Sequence, residues 1–327
     1  MKFRTEVEPA EPSFQIEHKN RIFTAGSCFA ENIAEYFRFY RFALLSNPFG
    51  VLYNPVSILN SVKIVKSKKR FLLDDLVFHQ SEYHSFYHHS DFSNHNREEC
   101  LRKINSGIDE TYSYLNETDV IIISYGTSFV YKHKERGIIV SNNHKISANE
   151  FQKFRLSVEE IIENVNETIN LLKEFNPDLK IVFTVSPVRH WRDGAVENQL
   201  SKSSLLLAME QIAGQNTDIY YFPSYEILMD DLRDYRFYAE DLVHPNKQAV
   251  EYIWEKFKNI FFDDENSGLM NEIGKIARAR SHRVRNAQSG EHHNFIKIIL
   301  SKIDNLEEKY PHLNLSDDRK YFEKQIL

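Results

Sequence analysis

Four short apolar runs, separated by amphipathic segments, constrain the fold of this chain more than any other feature of its sequence. The runs are RIFTA (21–25), DVIIIS (119–124), KIVFTV (180–185) and DIYYF (218–222). Each is too short for a typical helix and too continuous for a strand with one face in water, so each predicts a strand buried on both faces. Strands that alternate with amphipathic helices predict an α/β fold, with a mainly parallel sheet covered by helices on both sides.

The helical pattern changes near residue 263. Beyond it the chain is polar and helical, with no further run typical of a buried strand. We therefore predict a domain of residues 1–262 and a C-terminal helical extension, residues 263–327, packed on it. Residues 66–95 are rich in aromatic residues and histidine, a composition that predicts a hairpin or a long loop over the sheet.

The composition excludes several classes of function. A net charge of -6 gives no general electrostatic reason to bind nucleic acid or an anionic membrane. The only two cysteines, Cys28 and Cys100, are too few for a disulfide framework or a four-cysteine zinc site. No apolar run approaches 18 residues, and the first 14 residues lack the core of a signal peptide. We expect a soluble cytoplasmic protein with no metal and no cofactor, and its oligomeric state stays open.

Polar residues follow each predicted strand, where ligands bind in sheets of this kind. They are Gly26-Ser27-Cys28, SYGTS (124–128), SPVRHW (186–191) and, after the fourth strand and a short helix, YAEDLVHPN (238–246). Because the carboxyl ends of parallel strands meet at one edge, these segments predict a functional site there.

Asp241 and His244 lie three residues apart in the last of these segments. At this spacing a carboxylate can hold the Nδ1 proton of the imidazole and leave Nε2 free as a base. The alternative is an ordinary helix start, with Asp241 as the N-cap and Pro245 in the first turn. Of the fourteen histidines, only His244 has an aspartate three residues before it.

Ser27 and Cys28 are the candidate nucleophiles. Ser27 follows a glycine at a strand end, a position typical of a helix N-cap as well as of a nucleophile that needs an adjacent base. Cys28 would sit at a helix N-terminus, which lowers a thiol pKa, although its side chain can instead point into the core. The residues alone leave both readings open.

Two further segments offer candidate substrate contacts. Arg189, His190 and Trp191 follow the third strand and can form a substrate clamp or a packed loop. His84 and Ser85, in HQSEYHSFYHHS (79–90), are candidate contacts in a pocket wall or lid. The four-residue spacing of His84 and His88 would need a helix to bind a metal, and the pattern here is not helical.

Five segments together resemble the GSCFA-domain proteins, a family related to the SGNH, or GDSL-like, hydrolases. The resemblance runs from about residue 20 to residue 262 and continues more weakly through the tail. The segments are AGSCFAENIAEYF, NPFGVLYNPVSI, ISYGTSFVY, TVSPVRHWRDGAVENQLSKSSLLLA and DLVHPN.

This resemblance implies a flavodoxin-like three-layer α/β/α sandwich and a serine esterase mechanism. Ser27 then corresponds to the nucleophile, and Asp241 and His244 to the rest of the triad. Gly50 corresponds to a backbone donor of the oxyanion hole, together with the amide of Ser27, and Gly126 and Ser128 are expected in the hole as well. The substrate would be an O-acyl ester, in particular an O-acetyl ester, of a small polar or carbohydrate-like molecule. Alternatives are an acyltransferase with the same triad, a non-catalytic binding module, and a cysteine hydrolase that uses Cys28.

The chain departs from the SGNH pattern at one block. Where those enzymes have Gly-x-Asn, this chain has Gly126-Thr127-Ser128, without the asparagine that helps to hold the oxyanion. Loss of one such donor typically costs about 100- to 1,000-fold in rate. Ser128, Thr127 or one of the loop asparagines, Asn47 and Asn54, is the expected substitute.

Overall fold

The structure, a computed structural model, describes residues 4–214, 216–281 and 289–325. Its centre is a parallel sheet of five strands in the order β10-β9-β5-β1-β2. These strands are β1 (Ile22–Gly26), β2 (Leu44–Ser46), β5 (Val120–Tyr125), β9 (Lys180–Val185) and β10 (Ile219–Tyr221). Counted along the chain, the order is the flavodoxin-like 2-1-3-4-5 arrangement, whose ligand-binding switch point lies between β1 and β5. The predicted fold class and all four predicted strands are confirmed.

Helices cover both faces of the sheet. One face packs against α2 (Pro55–Lys66), α3 (Arg97–Leu115), α4 (Val158–Lys173) and α5 (Gly194–Ala213), and the other against α1 (Cys28–Phe39) and α7 (Lys247–Phe261). The strand residues alternate accordingly: Ile121 and Ile123 belong to the first core, and Val120 and Ile122 to the second. A sheet buried in this way explains why its strands are continuously apolar in sequence.

Some elements lie outside the sequence prediction. Strand β2 is a three-residue edge strand without an apolar run of its own. Antiparallel strands β3 (Val77–His79) and β4 (Glu82–His84) form the hairpin expected within residues 66–95. A second small antiparallel sheet contains β6 (Phe129–His133), β7 (Ile139–Val140) and β8 (Phe151–Arg155). After β10, a short helix, α6 (Ser224–Glu226), continues into a π-helical turn at Ile227–Asp231.

In its described residues the tail forms three helices with an apolar cluster of their own: α8 (Asp264–Ser281), α9 (Gly290–Lys309) and α10 (Ser316–Glu323). It contacts the sheet domain through an ion pair between Arg41 and the buried Asp318, N···O 2.7 Å, and through a contact between His18 and His312. Within the described ranges, none of the helices is both long enough and apolar enough to cross a bilayer.

Gly26 allows the end of β1 to approach the end of β5. Its φ of +129° lies in the region that favours glycine. A β-carbon here would lie 2.2 Å from the Ser124 carbonyl oxygen. The same carbonyl accepts the amide of Ser27 at 2.8 Å. The turn after β1 is therefore fixed to the backbone of the neighbouring strand.

We expect Gly26→Ala to lower the free energy of unfolding by about 3 kcal/mol, because the methyl group meets backbone and the φ angle becomes strained. Chemical denaturation followed by circular dichroism measures this. Gly268→Ala, in helix α8, is a suitable control, since no other heavy atom of the described residues lies within 4 Å of its new methyl group once the neighbouring backbone of the helix is left aside. That change should stabilise by about 0.5–1 kcal/mol, because alanine favours helix. A Gly26→Ala protein as stable as the control would contradict the close approach.

Candidate active site

The turn after β1 presents two different side chains. Ser27 is 1% exposed and is the N-cap of α1. Its Oγ accepts the amide of Phe29 at 3.3 Å and lies 2.8 Å from the Oγ of Ser124 at the end of β5. Cys28, the first residue of α1, is partly exposed. The serine hydroxyl therefore joins two elements, and Cys28 is the more exposed of the two residues.

The electrostatic surroundings of Cys28 show which groups share this edge. Burial raises the pKa of the Cys28 thiol, and the Asp241 carboxylate raises it further. The amides of Cys28 and Phe29 and the ammonium of Lys202 act in the opposite direction. The thiol thus lies within electrostatic reach of the loop that carries Asp241 and of helix α5.

Asp241 and His244 form the hydrogen-bonded pair that the sequence predicts. Asp241 Oδ2 lies 2.6 Å from His244 Nδ1. Asp241 Oδ1 accepts the amides of Val243 and His244 at 2.9 and 3.0 Å. These hydrogen bonds lower the pKa of the Asp241 carboxyl to about 2, the His244 amide contributing most, so the group stays ionised at neutral pH. A fixed Nδ1 leaves Nε2 as the atom able to accept a proton.

The alternative of a helix start at Asp241 does not describe this loop. Helix α7 begins at Lys247 and is capped by Asn246, whose Oδ1 accepts the amide of Ala249 at 3.0 Å. The Nδ2 of Asn246 also donates to the carbonyl of Arg236 at 2.6 Å. The Asp241–His244 pair therefore lies in a turn just before α7, and the hydrogen bonds of Asn246 hold the end of this turn in place.

Arg189 braces the same turn from the end of β9. Its guanidinium donates to the Leu242 carbonyl at 2.6 Å, and Leu242 has a left-handed φ of 57°. The guanidinium carbon lies 4.8 Å from the ring centroids of both Trp191 and Tyr238. Among the contacts within the described chain, Arg189 thus acts on the loop that carries the Asp241–His244 pair.

Each backbone amide expected in an oxyanion hole donates to a carbonyl within the protein. Ser27 donates to Ser124 at 2.8 Å, Gly50 to Asn47 at 2.7 Å, and Gly126 to Tyr53 at 2.7 Å. At Gly50 a β-carbon would also meet the side chain of His89, at 2.2 Å. Oxyanion stabilisation by these three amides would therefore need the hydrogen bonds to rearrange.

The residues expected to replace the missing asparagine of the Gly-x-Asn block also form hydrogen bonds within the protein. Ser201, on α5, lies 3.0 Å from Thr127 Oγ1, and its Oγ accepts the Ser128 hydroxyl at 3.1 Å and amide at 2.8 Å. Asn47 Oδ1 accepts the Gly26 amide at 2.9 Å, and Asn54 caps helix α2. These four predicted residues shape the loops around the turn after β1.

The structure does not bring His84 and Ser85 into contact with the catalytic candidates. Both are buried. The ring nitrogens of His84 lie 2.6 Å from Ser93 Oγ and 2.9 Å from the His79 carbonyl, and Ser85 Oγ lies 2.8 Å from His88 Nδ1. Their described contacts are those of packed residues.

His190 lies at the rim of the site, where its backbone amide donates to the buried Asn198 at 2.7 Å. Burial lowers the pKa of its imidazole, against the attraction of Asp193.

Lys202 is the residue that sequence reasoning missed. It is 0% exposed on α5, and its Nζ donates to the carbonyl of Ser186, just beyond β9, at 2.6 Å. Burial lowers its pKa to about 7, and Cys28 opposes the shift. The sequence does contain a signal that Lys202 is buried. At helical spacing, Asn198, Ser201 and Lys202 lie on the same face of α5 as Leu205 and the apolar residues that follow it. Because α5 runs antiparallel to the strands, the polar end of that face lies at the carboxyl edge.

Comparison with known families places this chain in a named group. The GSCFA family matches residues 21–257, and the group described as GSCFA domain protein, C-terminal domain matches residues 273–327. The chain belongs to the GSCFA family, and the predicted resemblance to it is confirmed. Comparison with the curated proteins finds no match.

Among solved structures, the chain is similar to the crystal structure of a carbohydrate esterase family 3 from Talaromyces cellulolyticus. The TM-score is 0.35 at 9% sequence identity, with 77% of this chain and 99% of that chain covered. The fold assignment rests on the strand order of the sheet, not on this likeness.

We expect Arg189→Met to loosen the turn that carries Asp241 and His244. Removing a hydrogen bond worth about 1 kcal/mol should speed amide exchange across residues 239–244 on the order of 5-fold. Hydrogen–deuterium exchange with mass spectrometry measures this. Arg233→Met is the matched control, because Arg233 is exposed and bonds within its own turn. Equal exchange in the two variants would show that Arg189 does not brace the loop.

Proposed function

We propose that this protein is an ester hydrolase that acts on O-acyl, in particular O-acetyl, esters at the carboxyl edge of its sheet. The observation that carries the proposal is the 2.6 Å contact between Asp241 and His244. It fixes His244 as a base, and the turn after β1, where the Cys28 thiol senses the Asp241 charge, offers a nucleophile, Ser27 or Cys28. Base, orienting carboxylate and nucleophile are the elements that acyl transfer requires.

In the proposed reaction, His244 Nε2 accepts the proton of the nucleophile as it attacks the ester carbonyl. His244 then returns this proton to the departing alcohol, and water resolves the acyl-enzyme by the same route in reverse. The ionised Asp241 stabilises the imidazolium that forms in each step.

The rim of the site favours a small polar or carbohydrate-like alcohol. Trp191 is 50% and Tyr235 64% exposed, and both rings lie within 6.0 Å of the Arg189 guanidinium. Exposed rings grouped beside polar side chains are typical of binding surfaces. A sugar can stack its C–H face on such rings while its hydroxyls meet the polar loop.

A non-catalytic binding module is the second candidate, and one observation favours it. The three amides expected to form the oxyanion hole all donate within the protein. A module of this kind would bind the same ligands on the aromatic rim without turning them over. An acyltransferase would share every step up to the acyl-enzyme and pass the acyl group to a bound alcohol.

We expect His244→Gln and Asp241→Asn to lower the turnover of p-nitrophenyl acetate by about 100-fold or more, because each removes the oriented base. Initial rates of nitrophenolate release measure this. His95→Gln serves as the control, since His95 is exposed and its Nδ1 contacts the Ser81 carbonyl, in the hairpin region. Undiminished turnover in a folded His244→Gln protein would remove His244 from the reaction. Ligand binding without any turnover in the wild-type protein would favour the binding module.

A further inference from the structure

An arginine in the segment after β9 contacts the loop that carries the proposed base. The Nη2 of Arg189 donates to the carbonyl of Leu242 at 2.6 Å. Leu242 lies between Asp241 and His244, in the loop of residues 239–244, here termed the dyad loop. A ligand group bound to this guanidinium would therefore lie on the dyad loop itself.

Aromatic rings surround the guanidinium of Arg189 without using its hydrogen-bond donors. Its central carbon lies 4.8 Å from the ring centroids of Trp191 and Tyr238 and 6.0 Å from that of Tyr235. A contact between a cation and a ring face occupies no N–H group. Of the three guanidinium nitrogens, only Nη2 has an acceptor among the described residues, and Nε is buried without one. Most of the hydrogen-bonding capacity of Arg189 is therefore unused.

The acidic residues that follow Arg189 pair with other cations. Asp193 and Glu197, at the start of α5, form ion pairs with Lys153 and Arg155 of β8. Among the described residues, no carboxylate lies within ion-pair distance of Arg189 itself. A guanidinium that lies on a proposed site without an internal counter-ion is available to an anionic group of a ligand.

Arg192 adds a second such cation to the same short segment. It is exposed in the turn Trp191–Asp193, and it too has no ion-pair partner within the described ranges. The turn is tied back to Arg189, whose carbonyl accepts the Trp191 amide at 3.1 Å. Two cations without internal partners therefore lie together at the rim, although the chain as a whole carries a net charge of -6. Such a local grouping favours an anionic ligand.

We infer that Arg189 binds a carboxylate on the alcohol part of the substrate, so that the proposed substrate is an O-acyl ester of an acidic sugar. The planar guanidinium can hold a carboxylate through two hydrogen bonds, and the exposed rings of Trp191 and Tyr235 suit the C–H face of a sugar. The ester in this statement rests on the proposed function. The recognition of the carboxylate can be measured without any turnover.

A purely structural role for Arg189 is the alternative. An arginine that only braces the dyad loop would, when lost, weaken every ligand of the rim to the same extent. An arginine that recognises the acid is needed for a charged ligand and not for its uncharged counterpart. The preference of the protein for an acid over the matching amide therefore separates the two roles.

The experiment compares the binding of sodium D-glucuronate and D-glucuronamide, in which an uncharged amide replaces the carboxylate. The chain has two tryptophans, and Trp254 is 0% exposed, so acrylamide in water quenches chiefly Trp191. Protection from this quenching reports a ligand at the rim. We expect the wild-type protein to bind glucuronate about 10-fold more tightly than glucuronamide, because hydrogen bonds between two charged groups are the stronger ones.

Arg189→Met should remove this preference and leave the two dissociation constants within about 2-fold of each other. Arg233→Met is the matched control and should keep the preference, since Arg233 is exposed and bonds within its own turn. Equal binding of the two ligands by the wild-type protein, no binding of either, or an unchanged preference in Arg189→Met would overturn the inference. Thermal denaturation shows that each variant compared is folded.

The failure of this inference and the failure of the ester hydrolase proposal are distinguishable. The alcohol part of p-nitrophenyl acetate carries no carboxylate, so its turnover tests the reaction alone. Turnover without a preference for glucuronate would support the hydrolase and overturn the role of Arg189. A preference that depends on Arg189, without turnover, would support that role and favour the binding module.

Discussion

The close approach of β1 and β5 at their carboxyl ends determines the rest of the site. A residue without a β-carbon at Gly26 lets the Ser27 amide reach the Ser124 carbonyl, and the paired hydroxyls of Ser27 and Ser124 close the same junction. Helix α1 starts from this fixed point, so these backbone contacts set the position of Cys28. In a parallel sheet the switch point lies between two neighbouring strands whose following connections lead to opposite faces of the sheet. Here these are the connections after β1 and β5, and the candidate nucleophiles lie where the two part.

The sequence was sufficient to predict four of the five strands of the sheet and the Asp241–His244 pair, because each is encoded locally. Continuous apolar runs mark buried strands, and a carboxylate three residues before a histidine reaches it across one turn. Strand β2 was missed because three edge residues carry no pattern of their own. The different burial of Ser27 and Cys28 could not be predicted either, since it depends on the contact between Ser27 and Ser124 at the end of β5.

Lys202 shows a second limit of sequence reasoning. A lysine among apolar residues on a long helix is usually a solvated side chain, and only the direction of α5 relative to the sheet places it at the carboxyl edge. Thr127 and Ser128, in contrast, were placed correctly at the end of β5, but their partner Ser201 comes from that same helix. Helix α5 thus supplies two polar groups to the edge that no motif reading assigns to it.

The two halves of the site differ in how they are anchored. The turn after β1 is tied to the buried central sheet by the hydrogen bond from the Ser27 amide to the Ser124 carbonyl. The dyad loop is about half exposed and is held by Arg189 and by the cap at Asn246. Local opening of such a loop costs less free energy than global unfolding. The proposed base can therefore withdraw to admit or release a bulky ligand on a microsecond-to-millisecond timescale, while the turn that carries the candidate nucleophiles stays in place.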